Sequence, residues 1–486
     1  MNYEDDDERE APKAQLPELF KLVDEKKKDF IQSLRESVSI SSIADDPCHI
    51  DDIMKMLKLC AMKLEKLGAA VEVVDGSDKD HPDLPPVLFA NLFVGEEYKT
   101  ICVYGNIDVK DPEKLGYDKR CPFELEDENG RLYGCGISDN KAPLFCWFNA
   151  LKILKDSKME NPVNVKFVIE GTSELHSRGL LNAIKINKKF FKDVEFICLT
   201  IDQRINEDPC IKYGYRGICH FSLKVSCGEK RVHGGTYGGA FNQPLLDALN
   251  VTASLFDQHG KITVTEFLQD IQPITERDIE HCETEFCCIK SLEKETNLPS
   301  LLHKNKPSRI LMHKTRLPNL SVHAFHIKSA SADKDDCASI PNKIEAIFSV
   351  RLVPNQTTDK TYNQFKKYIE KKWQNYKSSN SYEFKMKLGF NPWQEDPDSE
   401  HYQAAAIALE TVFKKPPRFV GEGKTMPAVS IFRDACPGSS IIVIPISGHD
   451  DNHHSSSESI STCDYLMGIK LVLAYMCEIH ELTFKR

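Results

Sequence analysis

The sequence predicts an α/β fold, with helices around a mixed, largely parallel sheet, interrupted by an inserted α+β domain. Up to about residue 212, and again near the C-terminus, helical segments alternate with short β-rich apolar runs. Such alternation is typical of strands joined by crossover helices. Between these parts lie longer stretches of alternating polar and apolar residues, which indicate antiparallel strands.

The predicted elements follow in order along the chain. Apolar residues at helical spacing predict helices over 16–40 and 50–69, with Gly68 as the C-terminal stop of the second helix. Further helical segments lie near 142–155 and 178–190, between apolar runs that predict buried strands. The main runs are "VEVV", "VLFANLFV", "TICVYG", "NVKFVIEG" and "EFICLTID".

These patterns divide the chain into four segments. Residues 1–14 are predicted to form an acidic, disordered tail, since they are rich in charge and poor in apolar residues. Residues 15–212 form the first part of the α/β domain, 213–390 the inserted α+β domain, and 391–486 the second part of the α/β domain. The inserted domain is predicted from the alternating stretch "IKYGYRGICHFSLKVSC" and two helices beside its sheet.

Composition excludes several classes of partner. The 486 residues carry a formal net charge of -10, which argues against nucleic acid and against anionic membrane surfaces. Seventeen cysteines without framework spacing, and an N-terminus without an apolar signal core, predict free thiols and a cytoplasmic location. The apolar stretch 460–479 contains Asp464 and Lys470, and these charges predict a buried helix rather than a membrane span.

Polar side chains capable of binding a metal follow the predicted strands. In α/β sheets, functional groups collect at the carboxyl ends of strands, and several carboxylates with a histidine could hold one or two hard or borderline cations. Each residue alone is weak evidence, because an Asp after a strand is more often a cap. The residues concerned are Asn106, Asp108, Asp139, Glu170, Glu174, Asp202, His449, Asp450, Asp451, His453 and His454.

The order of these motifs resembles the dinuclear metallopeptidases that include the cytosolic non-specific and carnosine dipeptidases. The similarity runs from about residue 15 to the C-terminus. The family's His-x-Asp-Val reads "NIDV" here, and its Gly-Arg-Gly-Ser-x-Asp-Asp-Lys-Gly-Pro reads "GCGISDNKAP". The other matching segments are "EGTSELHS", "YGYRG", "VHGGTYGG", "SVRLVPN" and "DDNHHS". The resemblance implies a catalytic-type metallopeptidase domain with a lid and dimerisation domain at 213–390.

The resemblance also implies roles for single residues. Asp139 matches a carboxylate that bridges two metals, and Glu174 and His454 match the remaining ligands of one of them. Asp108 matches a carboxylate that orients a histidine ligand. The residues that the resemblance places at the substrate are His233, which would reach the partner subunit's active site, Arg351, which would hold a carboxylate, and Thr425.

Several positions depart from the family pattern. Asn106 replaces a histidine ligand of the second metal, and its carbonyl oxygen is a weaker ligand than imidazole. The carboxylate for that metal is either Asp202 or is missing, with Ile201 in its place. Ser173 occupies the position of the general-base glutamate, and a serine hydroxyl is not basic near neutral pH.

Two hypotheses follow. In the first, the protein is a catalytically impaired homologue, a pseudoenzyme that keeps the fold and binds one Zn²⁺ or Mn²⁺ ion per subunit. It would form a homodimer, or a heterodimer with an active relative to which it lends His233. In the second, it is an active cytosolic hydrolase of dipeptides or small acylated amino acids, with a single metal or an altered substrate. In that case Glu170 or His176 would replace the missing base.

Overall fold

The computed structural model describes residues 12–484, except 45, 80, 118–119, 277, 280–296, 299, 304–305 and 329–337. The chain divides into two compact units. The first comprises the chain up to Tyr213 together with Glu395–Val420 and Pro427–Arg486, and the second comprises Gly214–Gln394 and Gly421–Met426.

The helices are numbered in chain order. They are α1 (Leu16–Glu25), α2 (Lys27–Val38), α3 (Ile50–Leu67), α4 (Pro112–Leu115), α5 (Ala142–Asp156), α6 (Leu180–Ile186), α7 (Gly234–Tyr237), α8 (Pro244–Ala253), α9 (Thr265–Gln269), α10 (Pro307–Thr315), α11 (Thr358–Tyr376), α12 (Glu400–Phe413), α13 (Pro427–Ala435) and α14 (Thr462–Phe484).

The strands are numbered in the same way. They are β1 (Ala70–Val74), β2 (Val87–Leu92), β3 (Thr100–Asn106), β4 (Glu126–Glu128), β5 (Arg131–Tyr133), β6 (Asn164–Glu170), β7 (Phe196–Leu199), β8 (Cys210–Tyr215), β9 (Gly217–Ser226), β10 (Val232–His233), β11 (Leu320–Ile327), β12 (Ser339–Ile340), β13 (Lys343–Leu352), β14 (Ser381–Phe390), β15 (Trp393–Gln394), β16 (Arg418–Glu422), β17 (Ser440–Val443) and β18 (Ser459–Ser461).

The first unit contains a mixed sheet in the order β1-β2-β6-β3-β7-β17-β8. Its four middle strands, β6, β3, β7 and β17, are parallel to one another, and the flanking pairs are antiparallel. Every residue of β3 and of β6 is buried, as expected for strands covered on both faces. Because the middle strands are parallel, their carboxyl ends lie along one edge of the sheet.

The helices of the first unit cover this sheet with a continuous core. The long helix α14 packs against α5, α12 and α1, and α3 packs against α5 and β2. Trp147 of α5 and Tyr475 of α14 are fully buried and meet edge to face. Helix α3 ends at Gly68, which has the left-handed backbone conformation (φ +103°) predicted from the sequence.

The second unit contains an antiparallel sheet in the order β11-β13-β9-β14. Helices α8 and α11 pack against β9, and α9 packs against α11. Its core is a separate cluster of buried apolar residues that includes Phe221, Phe348 and Phe365. The predicted class, an α/β catalytic-type domain with an inserted α+β domain, is confirmed.

The structure differs from the sequence predictions in three details. Residues 1–11 of the predicted tail lie outside the described residues, but Pro12–Gln15 forms a 3-10 helix rather than a disordered segment. Lys13 in this 3-10 helix forms an ion pair with the buried Glu478 at 2.7 Å, and this contact fixes the segment. The predicted helix 16–40 is divided at Lys26 into α1 and α2.

The third difference concerns Gly421–Met426, which the sequence assigned to the α/β domain and the structure assigns to the second unit. Arg216 accounts for this difference. Its Nε donates a hydrogen bond to the carbonyl of Gly423 at 2.7 Å, and its own carbonyl accepts one from Thr425 Oγ1 at 2.6 Å.

Among the residues that the structure describes, no helix is both long enough and apolar enough to cross a membrane. Every cysteine in the described ranges is a free thiol.

The turn before α5 depends on Gly136. This glycine has φ +70°, and a Cβ atom on it would lie 2.1 Å from Val109 Cγ1. We expect Gly136→Ala to lower the free energy of unfolding by about 1–2 kcal/mol through the left-handed backbone and by a further ~1–3 kcal/mol through the clash. Gly130→Ala is the matched control, since Gly130 has φ +79° with nothing within 4 Å of the added Cβ. Urea unfolding measures the free energy of unfolding of both variants. Equal losses in the two would show that the structure relieves the clash at position 136.

Candidate metal centre

Three loops at the carboxyl edge of the sheet bring together two carboxylates and one imidazole. Asp139 lies in the helical turn Ile137–Lys141 before α5, Glu174 in the 3-10 helix Ser173–Leu175 after β6, and His454 in the loop after β17. One donor atom from each residue lies within 4.8 Å of the others. No second group of three or more such donors occurs in the described part of the chain.

His454 joins the other two residues. Its Nε2 is 3.0 Å from Asp139 Oδ2 and 2.9 Å from Glu174 Oε1. Burial by itself lowers the pKa of His454, but the contacts with Asp139 and Glu174 outweigh burial and raise this pKa to about 10. The backbone of His454 is left-handed (φ +57°), a conformation that non-glycine residues adopt mainly where surrounding contacts hold them.

Asp108 lies directly behind this group. It is fully buried, and its Oδ2 accepts a hydrogen bond from the backbone N–H of Glu174 at 2.8 Å. Burial raises the pKa of the Asp108 carboxyl well above its ordinary value, and the neighbouring Glu174 and Glu170 raise it further. Asp108 therefore positions the Glu174 loop rather than facing solvent.

The loop that carries Asp139 is held by Glu458. This buried carboxylate accepts hydrogen bonds from the backbone N–H groups of Gly136 (2.8 Å), Ser138 (2.9 Å) and Asp139 (3.1 Å), and from the Ser138 hydroxyl (2.9 Å). Burial, with the nearby Asp139, raises the pKa of Glu458 to about 7. The sequence prediction missed Glu458, although it lies only four residues after His454.

The loop that carries His454 is held by Asp451. The Asp451 side chain is fully buried, pairs with Arg131 Nη2 at 2.6 Å, and accepts a hydrogen bond from Gly448 N at 2.7 Å. Arg131 also pairs with the adjacent Asp450 at 2.7 Å. Two of the acidic residues singled out in the sequence therefore hold the loop. The neighbouring His453 lies 3.7 Å from Asp139 Oδ2 through its Nδ1.

The residues expected at a second metal do not join this group. Asn106 is buried at the end of β3, where it pairs in register with Glu170. Asp202 is buried in an ion pair with Lys212, whose Nζ lies 2.8 Å from Asp202 Oδ2, and both side chains are almost completely shielded from solvent. The Asp202 carboxylate also accepts a hydrogen bond from Gln203 N. Ile201 is buried beside it.

The position that the resemblance assigns to a general base is occupied by Ser173, which begins the 3-10 helix after β6 and carries no carboxylate. Glu170 is fully buried and accepts hydrogen bonds from the hydroxyls of Tyr104 at 2.6 Å and Thr172 at 2.8 Å. Desolvation, together with the nearby Arg178, lowers the pKa of the His176 imidazole.

The remaining predicted residues lie in the second unit. Arg351 Nη1 donates a hydrogen bond to Thr425 Oγ1 at 2.7 Å, so these two predicted substrate-binding residues are in contact. Burial lowers the pKa of Arg351, but the guanidinium remains charged. His233 is exposed at the end of β10, with Nδ1 3.3 Å from Thr236 Oγ1.

The donor set fits one divalent cation. Two carboxylate oxygens and one imidazole nitrogen form a common three-ligand set for catalytic zinc and are acceptable to manganese. The second set does not fit, because Asn106 is a weak ligand and Asp202 is already neutralised by Lys212. The fold and the donor set thus define an α/β protein with one candidate metal site at the sheet edge.

Comparisons with known proteins agree with this class. The family model for "Peptidase family M20/M25/M40" matches residues 102–478. The chain is 32% identical over 480 residues to the Beta-Ala-His dipeptidase of Homo sapiens, covering 97% of this chain and 94% of that protein. It is 28% identical over 478 residues to the Cys-Gly metallodipeptidase dug1 of Schizosaccharomyces pombe, covering 97% and 99%.

A solved structure shows the same relationship. The crystal structure of human carnosine dipeptidase 1 superposes with a TM-score of 0.78 and 31% sequence identity, covering 96% of this chain and 100% of that one. The chain therefore belongs to the M20/M25/M40 peptidase family, which confirms the resemblance inferred from its motifs.

The contacts of Glu458 predict that its charge is needed to shape the Asp139 loop. In Glu458→Gln, an amide NH₂ would replace one acceptor oxygen and would face backbone N–H donors. We expect the free energy of unfolding to fall by about 1–3 kcal/mol, because buried donors lose their partner. Glu126→Gln is the matched control, since Glu126 is a partly exposed carboxylate paired with Arg120. Chemical denaturation followed by circular dichroism measures both, and equal small losses would contradict this role of Glu458.

Proposed function

We propose that this protein is a dipeptidase-like metallopeptidase homologue that binds one divalent metal ion, Zn²⁺ or Mn²⁺, and has lost most of its hydrolytic activity. The observation that carries the proposal is the contrast between two sets of residues. Asp139, Glu174 and His454 converge within 4.8 Å, whereas Asp202 is held by Lys212.

The first metal position has a set of three ligands, and two further residues hold the loops that carry these ligands. Asp139 and Glu174 offer carboxylate oxygens, His454 offers Nε2, and Asp108 and Glu458 fix the two acidic loops. A bound divalent ion supplies Lewis-acid polarisation of the scissile carbonyl. The residues of this chain bind it and orient it.

The second metal position lacks the charge that a cation requires. A neutral amide stands at Asn106 and an apolar side chain at Ile201, and the carboxylate of Asp202 is paired with the buried ammonium of Lys212. Removing one partner from a buried ion pair leaves an uncompensated charge, at a penalty of several kcal/mol. Release of Asp202 to a metal is therefore unfavourable.

The missing base supports reduced turnover. Ser173 has no basic group to accept a proton from attacking water, and the neighbouring Glu170 is already engaged by two hydroxyls. Loss of a general base lowers the rate by about 10²–10⁴-fold. The first metal alone does not replace this proton transfer.

Substrate recognition is supported by residues of the second unit. Arg351, with Thr425 as its hydrogen-bond partner, matches the family position that holds a substrate carboxylate, and a guanidinium binds carboxylates well. The relatives are named as dipeptidases for Beta-Ala-His and Cys-Gly. We infer a dipeptide, or a small acylated amino acid, as the ligand.

Assembly and location belong to the same proposal. The exposed position of His233 is compatible with a homodimer, or a heterodimer with an active relative, in which this residue serves the partner's site. The free thiols of the described cysteines favour the cytoplasm. Sedimentation velocity measures the oligomeric state, and a monomer at micromolar concentration would contradict the dimer.

An active single-metal hydrolase is the second candidate function. It is favoured by His176, which lies two residues from Glu174 and whose pKa is lowered by desolvation. A neutral imidazole can act as a general base. In this case turnover would be substantial and His176→Ala would abolish it.

The proposal predicts one bound metal ion per chain. Titration of chelator-treated protein with Mn²⁺ should give a stoichiometry of about one, and His454→Ala should weaken binding at least ~100-fold, since one of three ligands is removed. His449→Ala is the matched control, because His449 is an exposed histidine in the same loop and is outside the donor group. Two ions per chain, or unchanged affinity in His454→Ala, would contradict the proposed site.

The proposal also predicts that activity can be restored by substitution. Wild-type protein should hydrolyse Beta-Ala-His and Cys-Gly slowly. The variant Asn106→His, Ile201→Asp, Ser173→Glu should raise kcat/KM at least ~100-fold, because it restores two ligands and a base. The control replaces Ser173→Glu with Ser173→Gln in the same background, which keeps the size but not the basicity. High wild-type turnover that is lost in His454→Ala would instead establish the active hydrolase.

A further inference from the structure

A lysine lies against the candidate metal ligands and has no role in the proposed function. Lys110 follows Asp108 by two residues, in the loop after β3. Its Nζ is 2.8 Å from His454 Nδ1 and 3.7 Å from Glu174 Oε2. A full positive charge is therefore in contact with two of the three donors that would hold a divalent ion.

An ammonium group donates and never accepts, so the 2.8 Å contact between Lys110 Nζ and His454 Nδ1 is a hydrogen bond only while the ring is neutral. Nδ1 is then the acceptor, and the ring N–H is on Nε2. That Nε2 faces Asp139 at 3.0 Å and Glu174 at 2.9 Å. The neutral ring can donate from Nε2 to these carboxylates while Lys110 donates to Nδ1. The two carboxylates favour the protonated ring, whose Nδ1–H would instead face the Lys110 ammonium.

Metal binding requires the opposite tautomer. A histidine that binds a cation through Nε2 presents a lone pair there and carries its N–H on Nδ1. That N–H would point at the Lys110 ammonium. The contact of Lys110 with His454 and the ligation of a cation by the same ring therefore exclude each other.

The positive charge of Lys110 opposes metal binding, as its hydrogen bond to His454 does. The Glu174 side chain is only 13% exposed, so its attraction for the Lys110 ammonium is screened less than that of a surface pair. A cation bound by Glu174 would be repelled by the same ammonium group. The Lys110 side chain is 42% exposed and has solvent into which it can move when a cation binds.

We propose that Lys110 competes with a divalent cation for Glu174 and His454, and so weakens metal binding in this chain. This inference rests on the metal site of the proposed function and adds a residue that sets its affinity. Lys110 acts as an internal cation that balances the Glu174 carboxylate until a metal ion displaces it.

The test is calorimetric titration of Mn²⁺ into the full-length, chelator-treated protein. We expect Lys110→Gln to bind Mn²⁺ at least about tenfold more tightly than the wild type, because a like charge beside a partly buried site is removed. Lys110→Arg keeps the charge and should bind within about threefold of the wild type. Circular dichroism checks that each variant is folded.

Lys99→Gln provides the matched control. Lys99 directly precedes β3, at the opposite end of the strand from Lys110, and pairs with Glu195 at 2.7 Å with 31% of its side chain exposed. Its replacement changes the net charge equally and should leave Mn²⁺ affinity unchanged. Equal affinities of wild type and Lys110→Gln would overturn the competition while leaving the metal site intact. Failure of both proteins to bind Mn²⁺ would overturn the metal site and the competition together.

Discussion

The candidate site depends on the hydrogen bonds that the buried carboxylate of Glu458 accepts. The donors are the backbone N–H groups of Gly136, Ser138 and Asp139, which would otherwise be buried without partners. Because Glu458 follows the loop of His454, it also connects that loop to the turn of Asp139. Two segments separated by more than 300 residues are thereby fixed to each other at the edge of the sheet.

The same edge concentrates negative charge, and this constrains the chemistry there. Carboxylates follow β3, β6 and β7, and the middle strands are parallel. In a buried setting such groups need cations or protons. Lys212 neutralises Asp202, and Lys110 contacts Glu174. Both lysines place positive charge at an edge of the sheet that is otherwise rich in carboxylates.

At this edge of the sheet, the residues that hold the loops are distinct from the candidate metal ligands. Asp108, Asp451 and Glu458 hold loops through backbone and arginine contacts, and these contacts do not require a second metal or a general base. Asn106 and Ser173 are not among these supporting residues. The loops that carry Asp139, Glu174 and His454 are therefore held independently of the residues at positions 106 and 173.

The sequence by itself determined the α/β class, the inserted α+β domain and the family, because strand periodicity, helix spacing and ordered motifs are local patterns. The strand-end pattern gave a wider set of candidate ligands, and the resemblance to the family narrowed that set to Asp139, Glu174 and His454. Only the tertiary structure decided the state of Asp202 and the roles of Glu458 and Lys110. The partners of Glu458 and Lys110 are distant in sequence, since Glu458 accepts a hydrogen bond from Gly136 and Lys110 contacts His454. Asp202 and Lys212 are ten residues apart, and only the fold shows that they form a buried pair. Hydrogen bonds and burial arise only when the chain is folded, so no spacing of residues could have shown that a lysine contacts two of the candidate ligands.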